Sequence, residues 1–138
     1  MIVKRIKLHN WKNFQNCDIS LTERSFVIGA NASGKSNFID ALRFLRDVSK
    51  QAGGLQYAVE ERGGITKIRC LAARTSTDVH IAVELVEMNS QEPTWIYELG
   101  FSHTGGGIRK SQVRINEEKV YSGEQGKYII ERTEKTVG

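Results

Sequence analysis

Residues 29–36 read GANASGKS: two glycines bracket four small or polar residues, with a lysine and a serine directly behind the second. This spacing satisfies G-x-x-x-x-G-K-[ST], and each position has a physical use around a polyphosphate. Gly29 lets the chain leave a strand through a tight turn. Gly34 lets the backbone approach phosphate oxygens with no side chain in the way. Backbone N–H groups through Asn31, Ala32, Ser33 and Gly34 would wrap the anion, and the positive end of a helix starting near Gly34 would face it. Lys35 would reach the β- and γ-phosphates as a compact charge, and the Ser36 hydroxyl would complete the coordination of a Mg²⁺ ion. Lys35 is thus the candidate catalytic group and Ser36 the candidate metal ligand. Gly29, Asn31, Ala32, Ser33, Gly34, Lys35, Ser36 and Asn37 are candidate binding residues for ATP and Mg²⁺.

The motif demands a strand before it and a helix after it. SFVI (25–28) is short and continuously apolar, as in a strand covered on both faces. From Ser33 to Lys50 the period becomes helical: Phe38, Ala41, Leu42, Leu45 and Val48 share one face, and Asp40, Arg43 and Asp47 lie elsewhere around the axis. The glycines of QAGGLQ then close the helix. Upstream, IVKRIKL places Ile2, Ile6 and Leu8 on one side and Val3, Arg5 and Lys7 on the other. CDISL (17–21) alternates similarly, and HNWKNFQN turns between them. Downstream, EERGGITKIRCLAAR reads as a glycine-interrupted loop with a short strand. VHIAVEL (79–85) and WIYELGF (95–101) are clear strands, and SQVRI, KVY and KYIIERT are further short ones. A division follows: a meander, loop and helix in 1–50 and a β-rich part in 51–138.

The 138 residues, 39% hydrophobic and 26% charged, suit one soluble globular unit, or a piece of a larger one. No apolar run approaches the roughly 20 residues that span a bilayer, and the opening MIVKRIKLHNW lacks the apolar core of a secretory signal. The expected compartment is the cytoplasm, with no membrane partner. Cys17 and Cys70 read as reduced thiols, and the scattered His9, His80 and His103 build no metal site. The net charge of +4 permits an anionic partner without requiring one. Part of the basic excess sits at the start and part in residues 62–74, where a solvated strand face explains it.

NWKNF (10–14) and IGANASGKSNFIDALRFL (28–45), with about 24 residues before the loop, resemble the N-terminal segment of ABC-type ATPases of the SMC/RecF group. The likeness is strongest to a stand-alone AAA-type branch related to overcoming-lysogenization-defect nucleases and phage-defence ATPases. Asn10, Trp11, Lys12, Phe14, Ile28, Gly29, Asn31, Ser33, Gly34, Lys35, Ser36, Asn37, Asp40, Ala41 and Leu42 carry it, with Ala32 where the group has glycine or alanine. The likeness is specific over residues 2–46 and weaker beyond.

It implies an α/β fold, the N-terminal lobe of an ABC/SMC-like P-loop NTPase: a β-meander and Walker A helix followed by antiparallel strands, with an incomplete core. It also implies nucleotide held between two heads as a homodimer or head-to-head dimer, DNA as a possible partner, and nucleotide contacts from Lys12 and Asn13 in the upstream turn. DNA repair and antiviral defence are the processes implied.

Such an ATPase also needs a Walker B strand ending in Asp-Glu and a signature loop, and neither string is present. YIIE, ending at Glu131, lacks the aspartate and reads as an ordinary strand. YSGEQ (121–125) echoes the signature faintly, but no helix follows, so it reads as a turn. Gln112 and Gln125 are weak candidates for sensing the γ-phosphate. The expectation is therefore a piece of a longer ATPase, or a split subunit, that binds ATP weakly and hydrolyses little alone. Two other classes stay open. A P-loop kinase or GTPase is disfavoured by the upstream meander and the missing guanine-reading N-K-x-D. A nucleic-acid-binding β-module would need base-stacking aromatics in a basic stripe.

Overall fold

A computed structural model describes residues 1–21, 35–50, 54–70, 78–104 and 112–133. The elements run β1 (Ile2–Trp11), β2 (Phe14–Ser20), α1 (Lys35–Val48), α2 (Gly54–Glu61), α3 (Ile65–Ile68), β3 (Val79–Val86), β4 (Trp95–Thr104), β5 (Gln112–Ser122) and β6 (Lys127–Thr133). The strands form one antiparallel sheet in the order β2-β1-β3-β4-β5-β6. The expected strand at 25–28 and the start of the Walker A helix at Ser33 and Gly34 lie outside the described residues.

Helices cover one end of one sheet face. Ile6 and Leu8 of β1, Val79 and Ile81 of β3, and Leu99 and Phe101 of β4 point into a core closed by Phe38, Ala41 and Phe44 of α1 and by Ala58, Val59, Ile65 and Ile68. An aromatic stack runs through it. Trp11 lies 5.1 Å from Phe44, and Phe44 lies 5.3 Å from Phe101, ring centroid to centroid. Large rings dominate burial because each removes so much apolar area from water.

Several expectations change. The first strand carries a bulge at Lys4, since Val3 pairs with Leu85 and Arg5 with Glu84. One extra residue exchanges the faces of its neighbours, so Ile2 pairs with Val86, and Val3 rather than Ile2 shares the face of Ile6. The turn between β1 and β2 shrinks from HNWKNFQN to Lys12-Asn13. On α1 the buried stripe is Phe38, Ala41 and Phe44, whereas Leu42, Leu45 and Val48 are half-buried at its flank. Asp47 on α1 is buried too, so that side of the helix is not a solvated one.

The helix ends at Val48, short of the glycines thought to close it, and Gly54 instead opens α2, whose last two residues fall in the stretch read as loop. Leu55, Ala58 and Val59 form the i, i+3, i+4 stripe that makes α2 a helix, and Ala58 and Val59 are buried. The glycine pair 63–64 is its stop. Gly64 N–H donates to Val59 O at 3.0 Å and Gly63 N–H to Glu60 O at 3.0 Å, with both glycines at positive φ. This is a Schellman closure, which leaves Arg62 as the capping residue.

QVRI and KVY belong to one continuous strand, β5, bulged at Asn116 because Gly100 pairs with Glu117 and Phe101 with Ile115. Asn116 compensates with its side chain: Oδ1 accepts from Ser102 Oγ at 3.1 Å and Nδ2 donates to Asp78 Oδ1 at 3.2 Å. Of YSGEQ, Tyr121 and Ser122 end β5 and the rest lies in the turn 123–126 that leads to β6, and Glu131 lies exposed on that edge strand. Gly123 is required there, since a Cβ would fall 2.1 Å from the Pro93 carbonyl oxygen.

Candidate functional site

The turn between β1 and β2 is built by NWKNF. Asn10 and Lys12 adopt the left-handed region, with φ of 58° and 53°. Asparagine tolerates that conformation better than most residues, and here its buried amide also ties two segments down. Nδ2 donates to Asp78 O at 2.8 Å, and Oδ1 accepts from Cys70 N–H at 2.8 Å. Lys12 N–H donates to O of Ile68, the last residue of α3, and Trp11 bridges to Arg69 just after it. The tip is therefore held from below by the α3 segment.

The tip meets the first turn of α1. The Trp11 indole Nε1 donates to Asn37 O at 2.8 Å, and Asn37 Nδ2 donates to Asn13 Oδ1 at 3.0 Å. Lys12 Nζ lies 3.7 Å from Asp40 Oδ2 and 5.9 Å from the centre of the Trp11 ring. Lys12 and Asn13 thus sit beside the helix that follows the glycine-bounded loop. Ser36 is exposed in that first turn, and Asn37 is half-buried. Lys35 is the first residue of α1, although its side chain is not among the described ones, and Gly29, Asn31, Ala32, Ser33 and Gly34 lie outside the described residues. The first turn carries no carboxylate, so nothing acidic offsets its positive end.

One turn deeper, sequence reasoning missed an ion network. Arg62 Nε and Nη2 donate to the two Asp40 oxygens at 3.0 and 3.1 Å, Nη2 also donates to Asp47 Oδ2 at 3.1 Å, and Nη1 donates to Ala58 O at 3.0 Å. Its guanidinium also lies 5.1 Å from the Phe44 ring centre. Arg46 Nη2 and Lys50 Nζ reach Asp47 Oδ1 at 3.1 and 3.5 Å. The Arg62 and Asp47 side chains are only 11% and 6% exposed, so Arg62 belongs to an interior cluster rather than to a basic surface. Burial pushes the Asp47 carboxyl up, but hydrogen bonds from Arg46 and Arg62 outweigh it and hold the group below the usual aspartate value. Burial likewise works to lower Arg62, and the hydrogen bonds to Asp40 and Asp47 reverse it. The signal in the sequence was Gly63: a glycine stop fixes the residue before it.

The two glutamines separate. Gln112 opens β5 opposite Thr104, at the helix-covered end. Gln125 is exposed in the β5–β6 turn, and the six residues from Phe101 back to Trp95 put that turn roughly 20 Å away at about 3.3 Å per residue. A groove of about 540 Å³ lined by Lys7, His9, Asn16, Asp18 and His80, among others, contains no member of the cluster at the tip. Among the described residues no group of three His, Cys, Asp or Glu side chains could hold a metal ion, and no helix is long and apolar enough to cross a membrane. Cys17 is half-buried and Cys70 buried, and both are free thiols; burial, helped by Asp18, raises the Cys17 thiol above its usual value.

The turn is thus pinned against the helix that begins at Lys35, and comparisons of the sequence with known proteins say which family carries it. The family model described as "AAA domain, putative AbiEii toxin, Type IV TA system" matches residues 24–131, and the chain belongs to that family. Relatives include the endonuclease GajA of Bacillus cereus (strain VD045), 40% identical over 47 residues, which are 34% of this chain and 8% of that protein. The DNA replication and repair protein RecF of Agathobacter rectalis is 45% identical over 42 residues, 30% of this chain and 12% of RecF. RecF of Clavibacter sepedonicus is 25% identical over 87 residues, 62% of this chain and 21% of RecF. These likenesses group the chain with RecF/SMC-like, ABC-type P-loop ATPases, and it spans between 8% and 21% of the length of these three relatives.

Proposed function

We propose that the chain is the ATP-binding lobe of a RecF/SMC-like ATPase. ATP–Mg²⁺ is held by the loop Gly29–Ser36, through the backbone at Gly29, Asn31, Ala32, Ser33 and Gly34, the Lys35 ammonium and the Ser36 hydroxyl on Mg²⁺. Asn37 closes the first turn, and Lys12 and Asn13 add a polar wall from the adjacent hairpin. The observation that carries this reading is the contact between that hairpin tip and the first turn of α1, made by the Asn37–Asn13 and Trp11–Asn37 hydrogen bonds. It sets a second lysine beside a helix end already suited to anions. Polyphosphate fits this donor set, since Asp40, the carboxylate beside Lys12, is already bound by Arg62. Mg²⁺, when bound, would neutralise charge developing between the β- and γ-phosphates.

In the complete protein two such heads close around nucleotide, and hydrolysis drives a DNA-directed or phage-defence activity in the cytoplasm. RecF is a DNA replication and repair protein and GajA an endonuclease, which supports DNA as the partner. A nucleic-acid module built on the open sheet face is disfavoured. Cross-strand register gathers Arg5, Lys7, Lys119 and Arg114 there with Asp18, Glu84, Glu98, Glu117 and Glu131, four cations interleaved with five carboxylates rather than a basic stripe. Trp11 is core, and Trp95 and Tyr97 sit half-buried on the opposite face.

Calorimetry with MgATP tests the reading. The wild type should bind, and Lys35→Ala should lose binding while any DNA affinity persists. Equal loss of both anions would mark a generic phosphate site, and no heat with the wild type would overturn the proposal.

A further inference from the structure

We propose that Asp40 and Arg62 are positioning residues for Lys12, so that α2 sets where the hairpin's cation meets the nucleotide. The inference rests on the nucleotide-lobe reading and adds to it a way in which a residue outside the loop tunes phosphate contact.

A lysine at a hairpin tip ordinarily spreads over many rotamers, since its flexible stem loses about 2 kcal/mol of entropy when fixed. Lys12 is restrained at both ends. Its backbone is held in the left-handed region with its N–H on Ile68 O, and its ammonium lies between the Trp11 ring and Asp40. At 3.7 Å the contact with Asp40 is longer than a charge-assisted hydrogen bond. It is an attraction that an arriving phosphate can share rather than one it must break.

Asp40 is rigid because Arg62 grips both of its oxygens, a two-pronged contact that fixes the plane of the carboxylate. Arg62 is rigid in turn: it caps α2 ahead of Gly63, bonds Ala58 O and Asp47, and is mostly buried. Asp40 also follows Ser36 by four residues, so both lie on one face of α1 a turn apart. The chain of contacts Gly63, Arg62, Asp40, Lys12 therefore ends beside the helix turn that carries Ser36.

Charge alone and positioning predict opposite signs for Asp40→Asn. If Asp40 acts only as an anion near the phosphates, neutralising it tightens MgATP. If it positions Lys12, neutralising it weakens MgATP about threefold to tenfold, and the loss disappears when Lys12→Ala is already present. Arg62→Lys, which keeps the charge but loses the two-pronged grip, should weaken MgATP in the same direction by less. Tighter binding by Asp40→Asn, or an equal loss in the Lys12→Ala background, overturns the proposal. A nucleotide-free measurement separates it from the reading beneath it. In urea denaturation, Lys12→Ala and Asp40→Asn should be non-additive if Asp40 holds Lys12. Additive effects sink the positioning claim. Non-additive effects in a protein that ignores MgATP sink the nucleotide reading instead.

Discussion

The two ends of the sheet obey different rules. At the end covered by α1, α2 and α3, polar and charged groups go inside: Asn10 and Asp47 are buried, Arg62 nearly so, and Asn10 and Lys12 hold positive φ. At the β5–β6 end the chain is an alternating hairpin. Tyr121 and Tyr128 meet edge to face at 5.4 Å, Tyr128 and Ile129 remain exposed, and the polar exceptions are confined to turns: buried Ser122 accepts from Gln125 N–H, and Asn89 holds positive φ. Buried polar groups cost stability unless every one is satisfied. A fold keeps such an arrangement where geometry has to be held to within fractions of an ångström, as around a phosphate. On the proposed function the far end has no such demand, and pairwise strand contacts suffice there.

Substitutions at the two ends should break this contrast in graded ways. Trp11→Ala has the largest expected effect, because it removes the ring that both fills the core and bonds Asn37. It should cost about 3–5 kcal/mol in denaturant unfolding and should also weaken MgATP binding. Gly123→Ala, at the far end, forces a Cβ against the Pro93 carbonyl and should cost about 1–3 kcal/mol. MgATP affinity of the folded variant should be unchanged, and a shared loss would mean that the two ends are not independent.

Asp47→Asn should have the smallest effect, and that effect should depend on pH. The folded carboxyl titrates below its ordinary value of 3.8, so the group stabilises the fold above that pH, and its contribution is lost as pH falls through the folded value. The gap in melting temperature between Asp47→Asn and the wild type should be open at pH 7 and narrow below pH 4 or so. A gap independent of pH would place the stabilisation elsewhere than in the carboxylate.

The strand-rich half was the most legible in the sequence. VHIAVEL fell one residue short of β3, because alternation with period two survives in sequence where one face is buried, and KYIIERT gave β6 with its bounds although no residue of that edge strand is fully buried. Bulges at Lys4 and Asn116 broke the pattern locally, and a polar NEE inside β5 read as a gap. The helix α2 was passed over because glycines flank a stripe only eight residues long. NWKNF could be matched to a family, but its physical meaning needed tertiary partners. Asn10 bonds residues 60 and 68 positions away, and no local rule reaches that far. The same holds for Arg62, which reads as one more basic residue until Asp40 and Asp47 are placed around it. Of the candidate site, the G-x-x-x-x-G-K-S string is read from spacing, with residues 29–34 outside the described ones, whereas the network behind Lys12 has no signature in the sequence.

Backbone and indole N–H chemical shifts during a MgATP titration test the central claim most directly, since they report on both ends of the sheet at once. The account predicts that Lys12, Asn13, Asn37 and the Trp11 indole N–H shift together with a common saturation curve, while residues 123–127 stay in place. Shifts centred on the β5–β6 hairpin, or a hairpin tip that stays silent while nucleotide binds elsewhere, would contradict it.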